Sequence, residues 1–354
     1  MMLHFATLFD SNYLSRGLAL LESLQQHTTD SFHLYVLALD EKVEVYFAKT
    51  GYKHVTTIPL HKLEEFYSEL VTAKGNRSKI EYYFTLSPFL PSYILHHYKV
   101  DRITTLDSDL YFFGDPQAIF DTYPGASVLI TPHHFSDRLR ESEIYGKYNV
   151  SFQSFRNDER GSKCLEKWRK QCGEWCYDYL DEINGRFADQ KYLDGWTKEL
   201  EGVQSIDIPG TGLAPWNLDT FSYRISGKQL LVNDHALIYF HYHHLRIFNT
   251  HFAINAFEEY NVKTRHKAVK KIYQHYLQRL RKISDQLKQQ EASQLRYKQP
   301  DKKTLISKLM NTNGYWFYSS WFIFYLNPLK SILKIKYRLK KIYGSITKLN
   351  YVHR

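Results

Sequence analysis

The chain has 354 residues, of which 43% are hydrophobic and 16% aromatic, and its formal net charge is +10. That composition supports a sizeable core arranged as one large domain or two ordinary ones. No apolar run reaches the roughly 18–20 residues of a transmembrane helix, and the mixed first ten residues indicate no signal peptide.

The positive charge is concentrated at one end of the chain. Residues 261–354 contain 22 Lys and Arg residues against three acidic residues, a net charge of +19, whereas residues 1–260 carry −9. Such an asymmetry indicates a boundary near residue 260 and an acidic partner for the basic tail.

The first third of the chain alternates predicted strands and helices. Strands are expected over Leu3–Phe9, Phe32–Leu39, His54–Ile58 and a run that ends at Asp107. Between them, helices are expected over Tyr13–His27, Val43–Lys49, His61–Val71 and, interrupted by Pro88 and Pro91, Ser78–Tyr98. This order predicts an α/β fold with a largely parallel sheet flanked by helices. Ligands of such sheets bind at the carboxyl ends of the strands, where Asp10, Asp40, Asp107 and Asp109 fall.

The middle of the chain continues with both element types. Strands are predicted over Ser127–Thr131, Tyr148–Phe155, Gln204–Ile208 and Ala236–His244, with a hairpin formed by Tyr223–Ile225 and Gln229–Val232. Helices are predicted from Asp115, over Gly161–Tyr179 and over Phe187–Leu193. The three cysteines, Cys164, Cys172 and Cys176, share one face of a helix and fit no zinc spacing. They are therefore interpreted as buried thiols of a protein in a reducing compartment.

Two carboxylates one residue apart follow the strand at Arg102–Leu106. Side chains alternate along a strand, so Asp107 and Asp109 can point the same way. Converging carboxylates are costly unless a cation lies between them, and Mg²⁺ or Mn²⁺ prefers such oxygen ligands. The alternative is an ordinary surface turn. The apolar residues on both sides of the Asp-Ser-Asp sequence favour the metal site.

Six short motifs occur along the first 250 residues. They are FDSNY, LDSDLYFF, YNVSF, FADQKYLD, APWN and IYFHYHHLR. In this order they resemble the nucleotide-sugar glycosyltransferases with the GT-A fold, most closely those of the family-8 type. They are more similar still to uncharacterised bacterial glycosyltransferases found with surface-polysaccharide genes. The resemblance covers roughly residues 3–250.

The resemblance implies a role for individual residues. Asp107, Asp109 and His241 match the metal ligands, and the mixed donor set favours Mn²⁺ over Mg²⁺. Residues that match contacts to the nucleotide and its phosphates are Phe9, Asp10, Asn12, Tyr13, Arg77, Lys79 and Ser108. Asn149 and the pair Asp189-Gln190 match positions beside the transferred sugar. Asp189 or Gln190 would act in a double displacement, whereas a same-face mechanism would need neither.

The sequence departs from the family pattern after His241. The family usually continues with glycine and then KPW, whereas this chain continues with His243, His244, Leu245 and Arg246. Arg246 is a reasonable substitute for the group that holds the β-phosphate. His243 and His244 are interpreted as neighbours of the site or as surface residues, and Trp216 as a core residue. Asp189 could instead cap its own helix.

The basic tail contains three segments. Val262–Leu295 has the apolar stripe of a helix, residues 314–326 are mostly aromatic, and residues 332–349 alternate apolar positions with lysines and arginines. A basic amphipathic helix beside an aromatic run is typical of attachment to an anionic membrane surface. Docking on the acidic body and a dimer contact are the alternatives. No nucleic-acid recognition motif is present, so no nucleic-acid partner is expected.

These interpretations combine into one expected organisation. Residues 1–255 form a GT-A catalytic domain, 256–300 a long basic helix, and 301–354 a membrane-association segment. The expected activity is metal-dependent, retaining transfer from a nucleotide sugar, with UDP favoured, to a lipid-linked glycan or a lipopolysaccharide or capsule precursor. The expected location is cytoplasmic, on the inner face of the cell membrane. A sugar-phosphate nucleotidyltransferase would show a GxGTR-like loop after the first strand, which is missing, and a non-catalytic membrane scaffold would not use Asp107, Asp109 and His241.

Overall fold

The computed structural model describes residues 2–249, 252–289, 315–318 and 323–326. These residues divide into two compact units. The first contains the chain up to His243 together with the described residues from Val262 to 289. The second contains His244–Asn261 and the described residues after 297.

The first unit is built on a seven-stranded sheet of order β3-β2-β1-β4-β7-β6-β8. Its strands are β1 (Leu3–Phe9), β2 (Phe32–Ala38), β3 (Val55–Pro59), β4 (Arg102–Leu106), β6 (Val128–Pro132), β7 (Tyr148–Arg156) and β8 (Val203–Ser205). Only β7 runs antiparallel to its neighbours β4 and β6, and the other pairs are parallel. This mainly parallel sheet confirms the predicted α/β class.

Eight helices of the first unit precede residue 200. They are α1 (Leu14–His27), α2 (Glu41–Thr50), α3 (Leu60–Phe66), α4 (Glu69–Asn76), α5 (Lys79–Tyr98), α6 (Gln117–Thr122), α7 (Glu159–Glu174) and α8 (Trp196–Glu199). Turns of 3₁₀ helix lie at Asp137–Tyr145, Lys191–Leu193 and Pro215–Asn217. A large apolar core lies between the sheet and helices α5 and α7, with Phe89, Phe155 and Trp168 fully buried in it.

Smaller sheets complete the structure. In the first unit, β5 (Leu110–Phe112) pairs with β12 (Tyr239–His241), and β9 (Tyr223–Ser226), β10 (Gln229–Val232) and β11 (His235–Ala236) form an antiparallel sheet. The predicted hairpin is therefore present as β9 and β10. In the second unit, an antiparallel sheet contains β13 (Arg246–Asn249), β14 (Phe252–Ile254), β15 (Tyr315–Tyr318) and β16 (Ile323–Leu326). Two of the four strands thus come from the aromatic segment of the tail.

Several predicted element bounds were wrong. Helix α5 runs through Pro88 and Pro91 without a break. Each proline removes one backbone hydrogen bond, but both are buried in the packed helix, so tertiary packing offsets the loss. The single helix expected over 61–71 is two helices, because Tyr67 leaves helical geometry between α3 and α4. The strand expected over 236–244 is split between β11 and β12.

The first part of the basic tail packs on the acidic body. Helix α9 (Lys267–Gln289) belongs to the first unit, and it begins five residues later than predicted. The Tyr242 hydroxyl donates to the Ile272 carbonyl at 2.9 Å, Tyr242 and Tyr276 stack at 3.7 Å, and Arg279 forms an ion pair with Glu22 of α1. The predicted apolar stripe is confirmed as the buried face at Val269, Tyr273, Tyr276, Leu280, Ile283 and Leu287.

Two further predictions concern composition. Cys164, Cys172 and Cys176 are free and buried, as expected for core thiols. Among the described residues, no helix combines the length and the apolarity that crossing a bilayer requires. The amphipathic helix predicted over 332–349 lies outside the described residues. The domain boundaries at 255 and 300 stay predictions.

Candidate active site

Asp107, Asp109 and His241 come together where β4 ends. The chain turns between β4 and β5, with the Leu110 amide donating to the Asp107 carbonyl at 3.1 Å. Strand β5 then pairs with β12, which places His241 opposite Leu110. The Nε2 atom of His241 lies 3.2 Å from an Asp109 oxygen and 3.5 Å from an Asp107 oxygen. Strand pairing therefore joins residues that are far apart in sequence.

The charges of this cluster depend on one another. Burial raises the pKa of Asp107 to about 7, against the attraction of the His241 imidazole, and the Asp109 and Asp189 carboxylates raise it further. The Asp107 side chain keeps 41% of its surface exposed. Burial opposes ionisation of Asp109 as well, but His241 lowers its pKa to about 2. In turn, the two carboxylates raise the pKa of His241 although burial alone would lower it.

The donor set fits a hard divalent cation. Ligand atoms of Asp107, Asp109 and His241 lie within 4.8 Å of one another. Two carboxylates and one imidazole suit Mn²⁺ or Mg²⁺, and a cation would offset the burial and the carboxylate repulsion that raise the pKa of Asp107. The backbone of the turn is fixed on both sides, because the Asp107 amide donates to the Ser151 carbonyl at 2.9 Å and the Tyr242 amide to the Asp109 carbonyl at 3.1 Å.

The loop after β1 contributes to a second cluster of polar residues. The Asp10 carboxylate accepts hydrogen bonds from the Asn12 amide at 3.0 Å and from Lys79 Nζ at 2.8 Å. These bonds lower the pKa of Asp10 although burial opposes them. The neighbouring loop after β2 is tied in, since the Ser11 amide donates to Asp40 at 2.8 Å. This hydrogen bond therefore joins the loops at the carboxyl ends of β1 and β2.

Tyr13 and Phe9 flank this loop differently. The Tyr13 side chain is 43% exposed; burial of its hydroxyl and the nearby Asp109, Asp10 and Asp107 carboxylates raise its pKa. Tyr13 therefore faces the cluster and leaves part of its ring accessible. Phe9 is buried, and its ring lies where a side chain at Gly17 would collide with it. Ser108 is buried between the two aspartates of the turn.

Two predicted contact residues are engaged inside the protein. The Arg77 guanidinium donates to the Cys172 and Gly173 carbonyls at the end of α7, both at 2.7 Å, and also to Thr85. The Asn149 amide donates to the carbonyls of Thr131 and Pro132, and its oxygen accepts from Ser151. Their roles toward a donor stay predictions.

Asp189 is buried with 2% exposure. Its Oδ2 atom has no hydrogen-bond partner among the described residues. Burial raises its pKa to about 7, despite hydrogen bonds to the carboxylate from Ser87 and from the backbone. The preceding Ala188 has a φ of 45°, which is unusual for a residue other than glycine. The Asp189 carbonyl accepts from the indole N–H of Trp168 at 2.8 Å. The backbone here is strained and firmly held, as at many functional sites.

Gln190 lies on the other side of the same bend. Its side-chain amide donates to the Tyr145 carbonyl at 3.0 Å. The next residue, Lys191, donates to the Glu143 carbonyl at 3.1 Å and pairs with Asp194 at 2.7 Å. These contacts fix the bend against the 3₁₀ segment at 137–145. The charge of Asp189 therefore acts on Asp107, whereas Gln190 is half-buried and bonded to the Tyr145 carbonyl.

Sequence reasoning missed three residues of the site. Arg16 lowers the pKa of Asp109 through its charge, and its guanidinium lies 4.3 Å from the Tyr13 ring centre. Tyr83 lies 3.4 Å from Asp10. Helical spacing could have identified both, since Arg16 follows Tyr13 by three residues and Tyr83 follows Lys79 by four. The buried His133 carries no local signal; burial lowers its pKa to about 3.

The last predicted contact belongs to the other unit. Arg246 is the first residue of β13, and its role toward a β-phosphate stays a prediction. His243 belongs to the first unit, where its ring lies 5.1 Å from that of Trp216. His244 belongs to the second unit and pairs with Glu259 at 2.8 Å. Trp216 is a core residue, as expected, with 4% exposure.

Solved structures share a limited part of this architecture. The apo form of mouse xyloside xylosyltransferase 1 gives a TM-score of 0.43 at 15% identity, over 68% of this chain and 97% of that chain. The galactosyltransferase LgtC, in complex with donor and acceptor sugar analogs, gives 0.47 at 14% identity, over 68% of this chain and 87% of that chain.

Two proteins of Bacillus subtilis (strain 168) are similar in sequence, and no family model matches the chain. YfnD is 28% identical over 291 residues, which are 80% of this chain and 90% of YfnD. YfnF is 32% identical over 253 residues, which are 69% of this chain and 82% of YfnF. Both are described as uncharacterized proteins. At this level of identity over most of both chains, the present protein belongs to the same family as YfnF.

Proposed function

We propose that this protein is a metal-dependent glycosyltransferase with a GT-A fold of the family-8 type. The observation that carries the proposal is the meeting of Asp107, Asp109 and His241 at the end of β4, with ligand atoms within 4.8 Å. Two of the motifs shared with nucleotide-sugar glycosyltransferases, FDSNY and LDSDLYFF, lie at the carboxyl ends of the parallel strands β1 and β4. An open parallel sheet binds ligands at this edge.

The donor is a nucleotide sugar, with UDP favoured. Tyr13 offers an accessible ring on which a base can stack, and Lys79 and Arg16 place positive charge near the carboxylates. Lys79 is exposed and paired with Asp10, so a phosphate can compete for its ammonium group. Mn²⁺, or Mg²⁺, held by Asp107, Asp109 and His241 would act as a Lewis acid toward the diphosphate leaving group.

Asp189 is the best-placed group for chemistry on the transferred sugar. Its unpartnered oxygen needs no other interaction to be broken before it acts. Its raised pKa reflects burial, and a positive charge near Asp107 would favour the carboxylate form of Asp189. In a double displacement that carboxylate would attack the anomeric carbon as the nucleoside diphosphate leaves, and the acceptor hydroxyl would then lose its proton and displace the carboxylate. The two inversions together give retention. In a same-face reaction Asp189 and Gln190 would instead orient the sugar.

The acceptor is a lipid-linked glycan or a lipopolysaccharide or capsule precursor. This part of the proposal rests on the similarity to polysaccharide-associated glycosyltransferases and on the aromatic and basic composition of residues 301–354. Such a segment can hold the enzyme on an anionic membrane surface, which places it in the cytoplasm, peripherally on the inner face of the cell membrane. A nucleotidyltransferase is disfavoured by the first loop, FDSNY, which lacks a glycine-rich phosphate cradle.

The proposal is tested by nucleotide binding. Calorimetry with UDP, GDP and CMP, each with and without Mn²⁺, should show one nucleotide that binds in the micromolar range only with the ion. That pattern is expected because the diphosphate would bridge the ion and the Lys79 side of the cleft. Absence of binding by all three to a folded protein, verified by circular dichroism, would exclude the transferase and leave a scaffold.

Metal affinity should rise with pH. Asp107 has a pKa raised to about 7 and His241 has a raised pKa, so both must release protons when an ion binds. Below about pH 7 the affinity for Mn²⁺ should fall by up to about tenfold per pH unit for each proton released. Mn²⁺ titrations at several pH values between about pH 6 and about pH 8 measure the slope of the logarithm of the affinity against pH. A slope of zero in a folded protein would show that these groups are not the ligands.

A further inference from the structure

We propose that Trp216 is a positioning residue that orients the His241 imidazole for metal binding. This inference rests on the proposed metal site and adds a residue to it. The indole and the imidazole meet edge to face, with ring centres 5.3 Å apart and an interplanar angle of 87°. Both rings are buried, with 4% of Trp216 and 5% of His241 exposed.

The usual means of orienting a histidine ligand is missing at this site. A metal-bound imidazole normally donates its second N–H to a carbonyl or carboxylate, which fixes the ring. In the part of the chain that the structure describes, the buried Nδ1 atom of His241 has no hydrogen-bond partner, while Nε2 faces Asp109 and Asp107. The ring orientation must therefore be fixed by packing, and the Trp216 indole is the large rigid ring that lies against the imidazole.

Trp216 itself is held in place by its neighbours. Its indole N–H donates to the His133 carbonyl at 2.8 Å. The adjoining Asn217 is fully buried and donates to the same carbonyl and to that of Gly212, both at 2.8 Å, while its oxygen accepts from the Ala214 amide at 2.9 Å. The 3₁₀ turn at Pro215–Asn217 is therefore fastened to the end of β6 and to the preceding loop.

The same loop also holds the backbone of His241. The His241 amide donates to the Leu213 carbonyl at 2.8 Å, and Leu213 forms a parallel bridge with Phe240. The imidazole and the indole thus extend from backbone segments that are bonded to each other. Rings of His133 and His243 lie on Trp216 at 5.1 Å each, so the indole fills the space between three imidazoles and leaves the His241 ring little freedom to rotate.

The expected effect is on metal affinity. Loss of groups that orient a ligand typically lowers metal affinity about 10- to 100-fold. Trp216→Leu removes the aromatic face and should lower Mn²⁺ affinity by about that factor. Trp216→Phe keeps an aromatic face and should restore most of the affinity. The His133 carbonyl still accepts from Asn217 in both variants, so neither leaves that acceptor unpaired.

The experiment is a Mn²⁺ titration followed by electron paramagnetic resonance, which reports the free ion and does not depend on activity. Thermal unfolding without the ion verifies that each variant folds. Trp196→Phe is the matched control, because Trp196 is also fully buried but packs against Trp168 in the core beside α7. This control should bind Mn²⁺ like the wild type even where it lowers the unfolding temperature.

A double-variant cycle separates positioning from general damage. If Trp216 acts through His241, then Trp216→Leu should cause no further loss of affinity in a His241→Ala background, titrated to millimolar ion. An equal loss in both backgrounds, or wild-type affinity in Trp216→Leu, would overturn the inference. If His241→Ala binds Mn²⁺ too weakly to measure, the inference is tested by comparing the Mn²⁺ affinities of Trp216→Leu, Trp216→Phe and Trp196→Phe with that of the wild type. Lack of Mn²⁺ binding by the wild type would instead refute the proposed function.

Discussion

Replacing Asp109 by Asn should lower Mn²⁺-dependent nucleotide affinity by on the order of 100-fold, about 2.7 kcal/mol. The substitution keeps the size of the side chain and removes the charge that faces His241 at 3.2 Å. The pKa of Asp109 is lowered to about 2, so this carboxylate is the ligand that is charged under all physiological conditions. Asp107, with its raised pKa, contributes full charge only after losing a proton. Asp109 is therefore expected to be the more sensitive position.

The measurement is calorimetric titration with the nucleotide found to bind the wild type, at saturating Mn²⁺ and again without the ion. Asp121→Asn is the control, since Asp121 is an exposed carboxylate of α6 that accepts a hydrogen bond from the Gln117 side chain at 2.8 Å. The Asp121→Asn protein should bind the nucleotide in the presence of Mn²⁺ with the affinity of the wild type. Unchanged metal-dependent binding by a folded Asp109→Asn protein would remove the proposed site.

Replacing Asp189 by Asn should lower the rate of sugar transfer by about 10²- to 10⁴-fold, the range found when a participating charged group is lost. Metal-dependent nucleotide affinity should change by less than about threefold, because Asp189 is not among the three clustered ligands. The reason for the rate loss is that the unpartnered oxygen at Asp189 is the group available to the transferred sugar. A combined loss of rate and affinity would instead indicate damage to the cleft.

The unfolding temperature of Asp189→Asn distinguishes a chemical role of Asp189 from a structural one. Folding raises the pKa of Asp189 from 3.8 to about 7, so the carboxylate destabilises the folded state progressively as the pH rises from about 4 to about 7. Asp189→Asn avoids this charge and should unfold at the same temperature as the wild type, or higher, at about pH 8. A large decrease would mean that Asp189 is mainly structural.

The comparison for activity is Asp194→Asn. Asp194 lies in the same short segment, but its carboxylate is already engaged by Lys191 and by the Lys147 amide. It therefore reports the effect of loosening the bend without removing a reactive group. Rates are measured in single-turnover reactions with the nucleotide sugar whose base binds in the calorimetric panel. Equal rate losses in both variants would contradict a chemical role for Asp189.

Much of the site was predictable from local sequence patterns. Alternating apolar runs identified the strands that carry Asp10, Asp40, Asp107 and Asp109, and parallel strands place their carboxyl ends at one edge. The apolar stripe of the tail likewise identified the buried face of α9. Periodicity is a local property, so it can be read from neighbouring residues alone.

Other features depend on contacts between distant parts of the chain. The sequence shows two prolines in α5, but only packing against the sheet and α7 keeps that helix continuous. Likewise, the sequence could not show that the Arg77 guanidinium donates to the carbonyls of Cys172 and Gly173 in the folded protein. The helical stripe of α9 was predicted as well, but only the folded chain shows that α9 packs on α1, where Arg279 pairs with Glu22.

The sequence by itself determined the α/β class and the carboxylates at the strand ends, and its resemblance to a known family pointed to His241. Only the tertiary structure shows that the Asp189 Oδ2 atom has no hydrogen-bond partner among the described residues and that the Trp216 indole packs against the His241 ring. The physical reason is that strand and helix patterns arise from neighbours a few residues apart. Burial, hydrogen-bond satisfaction and pKa shifts arise instead from residues that meet only when the chain has folded.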